Sequence, residues 1–146
     1  MPEEDFLGDA PPPTSPVLVA AAVVLEAGRF LVGRRPAEKR HGGRWEFPGG
    51  KVRPGETVSA ALGRELHEEL GVHVQTLERT LFETMDPGSP YLIRFVETRV
   101  RGTPSAREHS ELAWCDANDL DRLDLAPADR RFVDALLGPD PLPPPE

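Results

Sequence analysis

Glu65, Glu68 and Glu69 stand within one short stretch of this chain. In an α-helix, at about 100° per residue, all three share one face. Carboxylates held that close repel one another unless cations lie among them. Hard divalent ions such as Mg²⁺ take oxygen ligands and keep open positions for phosphate oxygens. The chemistry that suits this pattern is metal-assisted attack on a phosphate chain. Any one of these glutamates alone would read as a solvated helix face. The cluster gains weight from Gly50 upstream, where glycine permits a sharp turn and close approach of backbone to a ligand. Arg64, next to Glu65 and four residues before Glu68, is placed to hold a glutamate by a charge-assisted bond.

The surrounding elements must position these groups. A helix is expected over Val58–Leu70, capped by Thr57 and stopped by Gly71. Leu62, Leu66 and Leu70 form its core stripe, beside the polar face that carries the glutamates. The apolar run Val17–Leu25 suits a buried strand, Glu26–Arg29 a turn, and Phe30–Arg34 a second strand. A short strand at Trp45–Phe47 is broken by Pro48-Gly49-Gly50. Further strands are expected near Val74–Glu83, Tyr91–Arg99 and Glu111–Cys115, with a turn at Asp86–Pro90 between the first two. A last helix over Pro127–Leu137 has Phe132, Val133, Leu136 and Leu137 as its apolar side. Mixed strands with two helices predict an α/β sandwich. The proline-rich ends, Met1–Pro16 and Gly138–Glu146, are expected to be disordered or extended. The domain is then residues 17–137.

At 146 residues the chain has the length of one domain. Seventeen Lys and Arg against 25 Asp and Glu give a net charge of −8, which argues against polymeric nucleic acid as a partner. A free nucleotide stays compatible, because a metal and a few arginines can meet its phosphates locally. Cys115 is the single cysteine, so no intrachain disulfide forms; it reads as a small buried hydrophobe in a strand. No apolar run reaches the length of a membrane span, and the N-terminus lacks a secretory pattern. A soluble cytoplasmic protein is the expectation. His41, His67, His73 and His109 show no ligand spacing; His67 and His73 read as exposed, His41 and His109 as loop residues.

The segment from Gly50 to Val72 resembles the signature of the Nudix hydrolases. That signature is a glycine, five residues, Glu, seven residues, then Arg-Glu-aliphatic-x-Glu-Glu-x-Gly-aliphatic. Gly50, Glu56, Arg64, Glu65, Leu66, Glu68, Glu69, Gly71 and Val72 fill it without departure. The resemblance implies a mixed sheet between helices, with the motif as loop-helix-loop. It also implies Mg²⁺, with Mn²⁺ as a substitute. Glu65 and Glu69 would be the main metal ligands, Glu68 would contribute directly or through water, and the Gly50 carbonyl would join them. Glu56 would be an outer or alternative ligand.

Beyond the motif the chain is similar to the MutT-like branch, through Arg34-Arg35-Pro36, Trp45–Lys51, Glu108-His109, Trp114-Cys115 and Leu125–Asp129. That branch cleaves nucleoside triphosphates to the monophosphate and pyrophosphate. The resemblance places a phosphate-binding arginine at Arg35 and a loop glutamate near the metals at Glu108, with Glu111 its competitor. The general base is a helix glutamate or Glu108. Phe47 packs in the core or lines the base pocket. Asp129 either reads the base edge, as an ionised acceptor facing an amino or N–H group, or is an acid favoured in the first helical turn. Arg34, Lys39 and Arg44 are possible supplements to Arg35. Three classes remain open: a triphosphate pyrophosphohydrolase for cytosine or oxidised nucleotides, a Nudix enzyme for ADP-ribose or dinucleoside polyphosphates, and a non-catalytic nucleotide-binding module. Family members are monomers or dimers.

Overall fold

The computed structural model describes residues 16–139. The expected loose ends therefore lie outside the described residues, apart from Pro16, Gly138 and Pro139. The elements run β1 (Val17–Val23), β2 (Leu25–Glu26), β3 (Arg29–Arg34), β4 (Trp45–Glu46), β5 (Gly49–Lys51), α1 (Val58–Leu70), β6 (His73–Met85), β7 (Tyr91–Arg101), β8 (Glu111–Cys115), α2 (Ala117–Arg122) and α3 (Pro127–Leu137). One sheet is mixed, in the order β5-β1-β7-β6, with β1 and β7 parallel. The other is antiparallel and centred on β3, which pairs with β2, β4 and β8.

Strand β1 is buried on both faces because alternate residues feed two cores. Ala20 and Ala22 pack with Leu62, Leu66 and Leu70 of α1. Ala21 and Val23 pack with Phe95, Phe132 and Val133 toward α3. Helices on opposite faces of one strand make the expected α/β sandwich. All three α1 leucines are fully buried, and cutting any one to alanine would cost about 3 kcal/mol. The Thr57 hydroxyl accepts from the Ala60 N–H at 3.0 Å, and Gly71 ends the helix in the left-handed conformation at φ 74°. The rotation of α1 is thereby fixed, and so is the direction in which its acids leave it.

Four departures from the sequence reading have physical causes. The first apolar run splits at Val24, and Ala27 and Gly28, both at positive φ, turn it back into β3. Gly49 and Gly50 do not end the sheet but pair with β1 as β5; a Cβ on Gly49 would meet the Ala20 carbonyl oxygen at 2.0 Å. Glycine serves a close approach there. The short helix α2, capped by Asp116 on the Asp119 N–H at 2.9 Å, has a single buried apolar residue, Leu120, and so no period to read. Leu137, expected on the apolar side of α3, is exposed. Cys115 is buried in β8, as expected.

Candidate active site

The acids of α1 separate into two groups with different surroundings. Glu65 and Glu56 gather around Arg64. The guanidinium donates to Glu56 through Nε and NH2, both at 2.9 Å, to Glu65 Oε2 at 3.1 Å, and to the Lys51 carbonyl at 3.0 Å. Glu68 lies 3.9 Å from the same guanidinium and is half exposed. The Arg64 bonds, helped by the Arg53 backbone N–H, hold the Glu56 carboxyl down at about 2. Its partners, Glu56 first, raise the pKa of Arg64 in turn, although burial opposes them. Arg64 thus braces two carboxylates and the chain leaving β5, the role its spacing suggests. Gly50 lies directly over Glu65, where a Cβ would come within 2.2 Å of Oε2.

Glu69 differs. It was expected on a polar face but is buried, at 7% exposure. Its Oε1 has no hydrogen-bond partner among the described residues. Burial first, then the charges of Glu46, Glu65 and Glu108, push its carboxyl up to about 9. A buried carboxylate oxygen without a partner is costly. The cause of the misreading is geometric: α1 closes against β5 and the segment before β8, which cover a position that would be exposed on an isolated helix.

Two adjoining cavities of about 310 and 410 Å³ form a cleft along this cluster. The first is bounded by Arg35, Lys39, Glu46, Glu69, Glu108 and Asp129. The second continues past Arg40, Lys51, Asp86, Tyr91 and Ala128. Arg35, Glu46, Gly50 and Asp129 border both. Arg35 follows the end of β3, and its guanidinium is held by the Arg40 carbonyl at 2.6 Å and Glu46 Oε1 at 2.9 Å. Those bonds leave further N–H donors for a phosphate. Lys39 reaches the same cavity, whereas Arg34 pairs with Glu111 at 3.1 Å and Arg44 with Asp124 at 3.8 Å. Of the two candidate loop acids, Glu108 borders the cleft and Glu111 is engaged by Arg34.

Farther along the cleft, where the two cavities meet, Asp129 is buried in the first turn of α3 and accepts from the Phe47 backbone N–H at 2.9 Å. Burial pushes its carboxyl up to about 8, with Glu46 adding to the rise, while the Phe47 bond and Arg35 oppose it. Burial therefore favours the protonated form, in which this group donates as well as accepts. Phe47 itself packs in the core, edge-on to Phe30, Phe95 and Phe132 at 5.2 to 6.4 Å between centroids. It also borders the first cavity.

Two residues of the site stand in stretches that carry the MutT-like resemblance but have no role assigned by the sequence. Glu46 lies between Arg35 and His109, bonded to His109 Nε2 at 2.9 Å. His109 is a loop residue, as expected, and is buried, 3.9 Å from Glu69. Neither has a spacing partner in sequence; only the fold brings positions 35, 46, 69 and 109 together.

The donor set fits a hard cation. The acids supply oxygen ligands, the unpartnered Glu69 oxygen needs a cation or proton, and the missing side chain of Gly50 leaves room for the Glu65 carboxylate. Among the described residues no three His, Cys, Asp or Glu side chains already converge as a metal cage, since Arg64 holds the Glu56 and Glu65 carboxylates.

A model of the NUDIX domain matches residues 15–136. The chain belongs to the Nudix hydrolases. It is similar to the "Putative 8-oxo-dGTP diphosphatase 2" of Mycobacterium tuberculosis, with 39% identity over 80% of this chain and 84% of the relative. It is 36% identical to the "CTP pyrophosphohydrolase" of Escherichia coli, over 82% and 90% of the two chains. Among solved structures, that of the E. coli ORF135 protein superposes with a TM-score of 0.72 at 35% identity, covering 84% of this Nudix chain and 89% of the other. The MutT Nudix hydrolase of Burkholderia pseudomallei gives 0.71 at 28% identity, over 82% and 97%. The Nudix fold expected from the motif is the fold observed. No helix among the described residues is long and apolar enough to cross a membrane.

Proposed function

We propose that this Nudix hydrolase cleaves a nucleoside triphosphate, with Mg²⁺ or Mn²⁺, to the monophosphate and pyrophosphate. The substrate class is a cytosine nucleotide or an oxidised nucleotide such as 8-oxo-dGTP, and the role is clearance of the free nucleotide pool. The observation that carries this reading is the buried Glu69, whose Oε1 has no hydrogen-bond partner among the described residues, in a cleft that the buried Asp129 also borders. The names of the two relatives point to the same substrate class.

Glu65, Glu68, Glu69 and the Gly50 carbonyl would hold the cation, with Glu56 in reserve. When bound, it supplies positive charge to the phosphate oxygens and polarises a water. Arg35 binds phosphate through its remaining donors, with Lys39 adding charge in an otherwise acidic chain. Arg64 keeps Glu65 and Glu56 oriented. Glu108, exposed at the cleft, takes the proton of the attacking water. Asp129 meets the base edge, and Phe47 orients Asp129 through its backbone N–H. The ligand is a free nucleotide rather than a nucleic acid chain, and the protein acts as a monomer or homodimer in the cytoplasm.

The test is pyrophosphate release from canonical, oxidised and methylated nucleoside triphosphates, with ADP-ribose and a dinucleoside polyphosphate as controls, each with Mg²⁺, with Mn²⁺ and with chelator. Pyrophosphate release confined to triphosphates and abolished by chelator is expected. Preferential cleavage of ADP-ribose would move the chain to a different Nudix activity.

A further inference from the structure

The segment before β8 carries Glu108 between two residues that are each seated in a notch left by a glycine. On one side is Arg107. A Cβ on Gly71 would meet its guanidinium at 2.7 Å. The Arg107 NH1 donates to the His67 carbonyl at 3.2 Å, and its backbone N–H to the Glu69 carbonyl at 3.1 Å. The Ser105 N–H bonds the Leu70 carbonyl at 2.9 Å. The Glu69 and Leu70 carbonyls at the end of α1 are thus met by this segment. The His67 carbonyl, already bonded to the Gly71 N–H at 3.0 Å, gains a second donor, and the cation sits at the favourable end of the helix dipole.

On the other side is His109. Its buried ring lies against Gly33 near the end of β3, where a Cβ would approach the ring at 2.6 Å. Gly33 is not among the positive-φ glycines, so its backbone does not require glycine; the ring does. His109 Nε2 is tied to Glu46 at 2.9 Å, and the next residue returns to the sheet through the Ser110 N–H and the Arg34 carbonyl at 2.9 Å. Between these anchors Glu108 stands exposed on the cleft, near enough to Glu69 to help raise its pKa.

We propose that Arg107 and His109 are positioning residues that clamp Glu108 from both sides, and that Gly33 is a glycine because the His109 end of the clamp is seated in it. The clamp sets Glu108 in register with α1, since Arg107 is bonded to the same helix turn that carries Glu69. The catalytic part of the proposal rests on the role given to Glu108 above. Small displacements of a positioned group lose large factors in rate, so the effect falls on turnover rather than on substrate binding.

The experiment is a double-mutant cycle on the full chain, using whichever triphosphate the panel shows is cleaved fastest. Arg107→Ala, at an exposed position, should lower kcat about tenfold with KM changed less than about twofold, and Arg107→Lys should recover part of the loss. Gly33→Ala should give the same kcat signature by displacing His109. In a Glu108→Gln background, itself down about a hundredfold, neither change should cost more than about twofold further. Equal losses in both backgrounds, or no loss in either, would overturn the clamp. If Gly33→Ala does not fold, the Arg107 cycle decides. If the wild-type chain cleaves no triphosphate, the proposed function fails, and backbone hydrogen exchange still judges the clamp. Slow exchange at the Ser105 and Arg107 amides, lost in Arg107→Ala, supports it; fast exchange in the wild type overturns it.

Discussion

The two ends of the cleft are built differently. The acidic end is built mostly from one helix and the loop before it: Glu56, Arg64, Glu65 and Glu68 interact across a few residues, and Glu69 follows on the same helix. The far end is made by contacts over long separations. Asp129 of α3 meets the backbone of Phe47, and Arg131 ties α3 to the β6–β7 hairpin through Thr84 and Asp86. The first arrangement concentrates charge and fixes it with one arginine. The second buries a single carboxyl, anchored on the Phe47 backbone, whose pKa burial raises. Under the proposed function, reaction chemistry and substrate choice would therefore sit on separable parts of the molecule, and changes at each should have distinct signatures.

The largest effect is expected at Glu69. Glu69→Gln should lower turnover by about two to four orders of magnitude, while the metal-free protein should melt no lower than the wild type at alkaline pH. The carboxyl loses its proton near 4.5 in the unfolded chain and near 9 in the fold, so ionisation works against the metal-free fold as pH rises through that range. Glutamine removes that penalty. A large fall in melting temperature would assign Glu69 to structure instead.

Arg64→Ala should come next. It frees two carboxylates and the Lys51 carbonyl, so both kcat and stability should fall, the latter by about 2 kcal/mol in denaturant unfolding. A loss of stability with unchanged kcat would mean that the brace does not serve the chemistry.

At the far end, Asp129→Asn should change the ranking among bases more than the rate on the best one. It should also alter the pH dependence of stability. The Asp129 carboxyl titrates near 3.8 when unfolded and near 8 in the fold. Between those values the folded state holds the extra proton, so wild-type stability declines with rising pH, by at most about 1.4 kcal/mol per pH unit. Asparagine keeps the acceptor for the Phe47 N–H and removes the titration, so the slope should flatten. Identical slopes in the two proteins would contradict the buried-proton account.

The smallest effect is expected at Arg131. Arg131→Ala loosens the hairpin that borders the second cavity, raising KM about threefold with kcat unchanged. A kcat effect would join the two ends that the structure separates.

This division also explains what could be read in the sequence. Helix α1, its Thr57 and Gly71 caps and its leucine stripe follow from local periodicity, and so do the grouped acids. The burial of Glu69 does not, because it depends on β5 and the segment before β8 closing over the helix. The raised pKa of Asp129 depends on the packing of α3 against Phe47, and no local pattern encodes it. Glu46 and His109 stand in short stretches with no spacing partner, and the Gly33 notch that seats the histidine is far away in the chain. Arg35 and Glu108 were legible only through family resemblance, which fixes their places but not their bonds to Glu46 and α1.

The account rests on an acidic cluster that is incomplete without a divalent cation. Mn²⁺ binding followed by electron paramagnetic resonance, on nucleotide-free wild type and Glu69→Gln, tests this most directly. The wild type should bind Mn²⁺, and Glu69→Gln should bind it at least about tenfold more weakly. Equal affinity in the two proteins, or no binding by the wild type, would contradict it.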